Sequence, residues 1–219
     1  MNTPTTIVSI SLAALVVAGT TTGASGETTT HHRTRWSEHS RVTADVDGDG
    51  RLDTAVQLTR GESGTHSRVK VFWATGGSAA VRLPFSGYER LELGLDLDGD
   101  GSQELVLTGS GGESTWWQVV AESDHRLTRV RTINAAGRPT PLAGGLSEGT
   151  GAPQNRSWHT DLLAAGFFDF RFVEAHPTAP APIRVRRWEL SGRTLTRSAT
   201  TEPGCYGADG YLGVNLGTC

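Results

Sequence analysis

Two nine-residue runs with the same order of aspartate and glycine stand 51 residues apart: 45–53 (DVDGDGRLD) and 96–104 (DLDGDGSQE). Each leads directly into a short segment rich in valine, leucine and threonine, 54–59 (TAVQLT) and 104–109 (ELVLTG), and then into a hairpin pattern. That unit constrains the fold. The sixth residue of each run is glycine, Gly50 and Gly101, where the chain must turn sharply and a side chain would obstruct it. The apolar residues that follow alternate with the period of two that suits a half-buried strand.

The alternation continues as two series of short strands. The first is 54–59, 68–74 (RVKVFWA) and 79–84 (AAVRLP). The second is 90–95 (RLELGL), 104–109, 115–122 (TWWQVVAE) and 126–133 (RLTRVRTI). A third unit without an acidic loop is suggested by 195–197 (LTR), which echoes 127–129 (LTR) after a short turn and a tryptophan-bearing strand, 183–190 (IRVRRWEL). Glycine, at 28 of 219 residues, stands at roughly twice its average usage and favours short strands over long helices. Repeats of about 50 residues and four strands have the size of propeller blades, but residues 41–201 hold room for only about three, below the usual 4–8. The expected fold is all-β: about three blade-like antiparallel repeat units, a partial or atypical propeller-like arrangement with no large helices.

Carboxylates at the first, third, fifth and ninth positions of such a turn can all point at one centre. Four like charges so close repel one another unless a cation lies between them. Calcium suits the set, being a hard cation that takes about 6–8 oxygens with tolerant geometry. The expected ligands are Asp45, Asp47, Asp49 and Asp53 with the Arg51 carbonyl, and Asp96, Asp98, Asp100 and Glu104 with the Ser102 carbonyl. An EF-hand is excluded, because its twelfth position would be Val56 or Leu107 in an apolar strand, not a bidentate glutamate.

The pattern D-x-D-G-D-G-x-x-[DE] followed by a strand resembles the calcium loops of FG-GAP and VCBS repeats. The wording TADVDGDGRLDTAVQL and LGLDLDGDGSQELVLTG is similar to that of small secreted actinobacterial proteins with such repeats. The resemblance covers residues 41–133 well and 141–201 faintly. It implies two calcium ions bound by the residues named above. No Phe-Gly pair stands where the repeat name would place one, and the single Gly-Ala-Pro, 151–153, is not attached to an acidic loop.

The flanks carry a different message. Residues 7–18 (IVSISLAALVVA) form an uncharged apolar run too short to span a bilayer about 30 Å thick. With Ala24-Ser25-Gly26 behind it, 1–26 reads as a secretory signal, although 1–6 (MNTPTT) lacks lysine and arginine. Residues 27–40 read as a polar linker in which His31 and His32 are solvated, 41–204 as the repeat domain, and 205–219 as a tail closed by a Cys205–Cys219 disulfide. The chain is thus expected to be extracellular and monomeric, with no membrane span after signal removal.

The net charge of −3 gives no global pull toward nucleic acid, and the basic residues, all arginine except Lys70, are scattered along the sequence. The glycine-rich stretch 144–156 lacks both the lysine and the strand–loop–helix context of a phosphate loop. No nucleophile turn of the G-x-S-x-G kind occurs. Trp158-His159-Thr160-Asp161 and the carboxylates Asp169 and Glu174 are the nearest approach to a catalytic set, and no catalytic residue is assigned. The favoured reading is a binding or adhesion module, with structural calcium and an extracellular protein or glycan as its ligand. The alternative is a secreted hydrolase acting on a polysaccharide or other polymer.

Overall fold

The alternation after each acidic loop builds the second strand of a four-stranded antiparallel meander, and it does so twice. The computed structural model describes residues 35–61, 65–84, 89–111, 114–144, 159–163, 166–174, 180–207, 214–216 and 219. In the first sheet β1 (Ser37–Ala44), β2 (Asp53–Arg60), β3 (His66–Phe72) and β4 (Ser78–Leu83) lie in sequence order. The second sheet repeats this with β5 (Glu89–Leu95), β6 (Glu104–Gly111), β7 (Ser114–Ser123) and β8 (Arg126–Arg129). Each acidic loop joins the first strand of its sheet to the second. The polar stretch expected to run as a linker through Ser40 is already strand from Ser37, because Ser37–Ala44 finds a partner in β2.

The segment expected as one strand over 126–133 is two. After β8 the chain leaves the second sheet at Val130 and continues as β9 (Arg131–Ile133), which pairs parallel with β14 (Thr194–Arg197) of the third sheet. One short segment therefore closes one blade and opens onto the next. The third sheet is larger and curls. It runs β11 (His159–Leu163), β12 (Gly166–Phe172), β13 (Ala181–Ser191), β14, β9, with β15 (Glu202–Tyr206) on the first half of β13 and β16 (Val214–Leu216) beyond it. The two-residue β10 (Ala143–Gly144) pairs with β7. Leu163 lies opposite Gly166, so the first turn of this sheet has no length for an acidic loop. Among the described residues there is no helix, and the all-β, blade-like architecture is the one expected.

The sheets bury their faces against one another in chain order. Ala55, Val69, Val71, Leu105, Leu107 and Val120 belong to one apolar cluster shared by the first two sheets. Val106, Trp117, Phe167 and Trp188 belong to a second, shared by the second and third. Phe168, Phe170 and Phe172 point to the opposite side of β12, where they pack with Ile183 and Tyr206. Gly94 permits the close approach of β5 to β1, since a methyl group there would collide with that of Ala44. Cys205 and Cys219 are disulfide-bonded, tying β15 to the last residue as the spacing implied. The glycine-rich stretch 145–156, and everything read from residues 1–34, lie outside the described residues.

Candidate metal centres

Glycine dictates the shape of both acidic loops: Gly50 and Gly101 have φ of 84° and 96°, a left-handed conformation that other residues adopt at a cost. The turn brings backbone N–H groups onto the side chains that precede them. In the first loop Asp45 Oδ2 accepts the Gly50 N–H at 2.9 Å, and Asp49 Oδ1 accepts the Arg51 N–H at 2.8 Å. In the second, Asp96 Oδ2 accepts the Gly101 N–H at 3.2 Å, and Asp100 Oδ1 accepts the Ser102 N–H and hydroxyl at 2.8 and 2.6 Å. These bonds aim the carboxylates inward.

Two triads of carboxylates converge. Oxygens of Asp45, Asp47 and Asp49 lie within 4.8 Å of one another, and so do those of Asp96, Asp98 and Glu104. Both groups are able to hold a metal ion. Asp45 Oδ1 is buried and has no hydrogen-bond partner. A buried carboxylate oxygen without a partner is costly, and a cation beside it removes that cost. The donors of both triads are carboxylate oxygens, hard ligands of the kind that calcium, magnesium and manganese take.

The ninth positions differ. Asp53, 1% exposed, stands outside the first triad and holds the turn shut: Oδ2 accepts the Val46 N–H at 3.0 Å, and Oδ1 accepts the Ala74 N–H at 2.8 Å. Glu104, one methylene longer, joins the second triad while still accepting the Leu97 N–H at 2.9 Å. Asp100, bound by Ser102, stands outside that triad. Arg51 and Ser102 occupy the seventh positions at the ends of the turns.

The electrostatics follow the crowding. Burial pushes Asp47 above the usual carboxylate range, and Asp53, Asp49 and Asp45 add to the shift. Asp98 is raised by burial and then by Asp100 and Asp96. Glu104 is pushed up to about 7, mostly by burial and then by Asp98 and Asp100. Asp100 is lowered, because the Ser102 hydroxyl and N–H stabilise its charge.

Sequence reading missed the link between the loops. Asp45 donates its N–H to Gln103 Oε1 at 3.0 Å, and Gln103 donates its N–H to the Asp45 carbonyl at 2.7 Å. Gln103 is the eighth residue of the second loop and reaches back to the first residue of the loop before it. Its counterpart in the first loop, Leu52, is 66% exposed. Also unforeseen is the turn between β7 and β8, where Glu122, Asp124 and His125 line a cleft with Asp47, Asp49 and Thr75. No sequence signal marks either contact, since each crosses between sheets.

The two carboxylates considered for catalysis, Asp169 and Glu174, sit in different settings. Asp169, 1% exposed, is held by Thr160 Oγ1 at 2.9 Å, Trp188 Nε1 at 2.7 Å, Arg186 at 3.0 Å and Arg197 at 3.4 Å. Its oxygens are bound by these neighbours inside the third sheet, while Glu174 is exposed beyond the end of β12. The side chains of His159 and Asp161 lie outside the described residues. Of the paired tryptophans, Trp117 is core, and Trp116 points to the other face, where its indole N–H donates to Glu89 at 3.2 Å.

Comparison of the chain with family models, with curated proteins and with solved structures returned no match.

Proposed function

We propose that the chain is an exported β-blade module of the FG-GAP/VCBS kind, built around two structural calcium ions and working by binding or adhesion. The observation that carries the reading is the convergence of carboxylate oxygens at the same point of two successive blades, between first strand and second. Asp45, Asp47, Asp49 and Asp53 with the Arg51 carbonyl would hold one ion. Asp96, Asp98, Asp100 and Glu104 with the Ser102 carbonyl would hold the other. Calcium supplies positive charge where each turn gathers like charges, and so fixes the first two strands of each blade. Its larger, more tolerant coordination shell fits these irregular sets better than the octahedral shell of magnesium. The disulfide is compatible with an extracellular protein, and no described helix is long and apolar enough to cross a membrane. The engagement of Asp169 by Thr160, Trp188, Arg186 and Arg197 favours the module over the hydrolase alternative.

Extracellular modules bind calcium with dissociation constants of about 10⁻⁴–10⁻³ M, and at ten times that constant one site stabilises a fold by about 1.4 kcal/mol. Thermal unfolding with and without chelator tests the reading. Chelator lowers the melting temperature of the wild type, and Asp49→Ala combined with Asp100→Ala abolishes the response. A double variant that answers calcium as the wild type does refutes the ligand set.

A further inference from the structure

We propose that the outward face of the first sheet is a docking surface for a linear acidic polysaccharide. This deepens the binding-module reading by naming the ligand class, and it uses a surface separate from the acidic loops.

This face of the first sheet looks away from the apolar cluster that the sheet shares with the second. Cross-strand register places Leu58, Arg68 and Arg82 in one row and Arg41, Val56, Lys70 and Ala80 in the next, all on the side opposite the apolar cluster. Arg60 extends the group one row further along β2. Scattered in sequence, these cations meet in space. Arg41 is neutralised by Glu38 at 2.8 Å, whereas Arg60, Arg68, Lys70 and Arg82 have no ion pair among the described residues. Arg68 Nε is buried without a hydrogen-bond partner.

The internal repeat shows that this face is not a blade-docking face left bare. Thr54 and Val56 correspond, at the 51-residue spacing, to Leu105 and Leu107, which pack against the first sheet. On the neighbouring strand, Gln118 lies opposite Leu107 and Trp116 opposite Gly109. The matching residues of the first sheet, opposite Val56 and Leu58, are Lys70 and Arg68. Where the second blade presents two leucines, tryptophan and glutamine, the first presents threonine, valine, arginine and lysine. The excess of positive charge also disfavours a symmetric pairing of two copies through this face.

The cations run diagonally from Arg60 on β2 to Arg68 on β3 and then straight across to Arg82 on β4, a track for a linear chain bearing carboxylate, sulfate or phosphate groups, which arginine binds through paired N–H donors. Arg68 and Arg60 lie over the Trp36 ring at 4.2 and 5.0 Å, and Lys70 over Phe72 at 4.3 Å. With these rings committed to cations, the face offers poor platforms for stacked bases, and a glycan is favoured over single-stranded nucleic acid.

The test is fluorescence anisotropy with a labelled heparin oligosaccharide, in parallel with a DNA duplex, a DNA single strand and polyglutamate of matched charge. Heparin binding is expected at low ionic strength, weakening steeply with salt. Arg68→Gln with Arg82→Gln should weaken it roughly tenfold or more. Arg126→Gln with Arg184→Gln, on the other two sheets, should leave it unchanged, and the single change at the exposed Arg82, Arg82→Gln, should weaken binding while leaving the melting temperature as it was. Absence of heparin binding, equal loss in both double variants, or tighter binding of either DNA or of polyglutamate overturns the proposal. Calcium titration is read separately on the same protein, so that glycan binding without calcium binding, or the reverse, sinks one reading and spares the other.

Discussion

Gln103 and Asp45 exchange two hydrogen bonds across the junction of the first two blades, the Gln103 side-chain carbonyl accepting the Asp45 N–H and the Gln103 N–H reaching the Asp45 carbonyl. Asp45 is also the first residue of an acidic triad, so the position of one loop is fixed by the other. Gln103→Ala removes only the side-chain half of this clasp. A single such bond contributes about 0.5–1.5 kcal/mol, which for a chain of this size is a fall of roughly 1–6 °C in melting temperature. Calorimetric titration of the same variant should show weaker calcium binding at the first loop with no carboxylate removed. Unchanged affinity there would mean that the loops act independently.

Asp53 and Asp49 should separate two roles that share one loop. Asp53 bonds two backbone N–H groups from a buried position, so Asp53→Ala leaves both unsatisfied, at about 1–3 kcal/mol each. Its melting temperature should fall with or without calcium. Asp49→Ala should lose only the calcium-dependent part. Scanning calorimetry with and without chelator compares the two.

Glu104 gives the metal-free protein a distinctive pH dependence. Its carboxyl is pushed up to about 7 in the fold, from 4.5 in an unconstrained chain. Between these values the folded state holds a proton that the unfolded state has lost, so stability falls as pH rises. The contribution is fully present below about 4.5 and is lost as pH passes through about 7. In chelator, therefore, the melting temperature should decline over that window, and Glu104→Gln should flatten the decline. Saturating calcium should do the same for the wild type by neutralising the group.

Asp169 is the structural centre of the third sheet. Asp169→Ala removes the buried carboxylate that Arg186 and Arg197 share, a loss of about 3–5 kcal/mol by analogy with broken buried pairs. Urea unfolding should show that loss while calcium binding at the two loops persists. A neutral effect would mean that the network is dispensable.

Much of this was legible in the sequence, for local reasons. The acidic loops, the strands after them and the 51-residue repeat follow from glycine, aspartate and a period of two. What was hidden is non-local. Nothing in 126–133 announces that Val130 is where the chain changes sheets, because the break is set by which partner strand is nearer. The sequence pattern assigns Asp53 and Asp49 the same role, yet Asp53 also accepts the N–H of Ala74 in another turn. The arginines look dispersed until register aligns them on one face.

The most direct measurement is calcium stoichiometry by equilibrium dialysis of the decalcified chain. Two calcium ions per chain are expected, falling to none in Asp49→Ala with Asp100→Ala, with magnesium competing weakly. A folded wild-type chain that takes up no calcium, or that prefers magnesium, would contradict a fold built around calcium-filled loops.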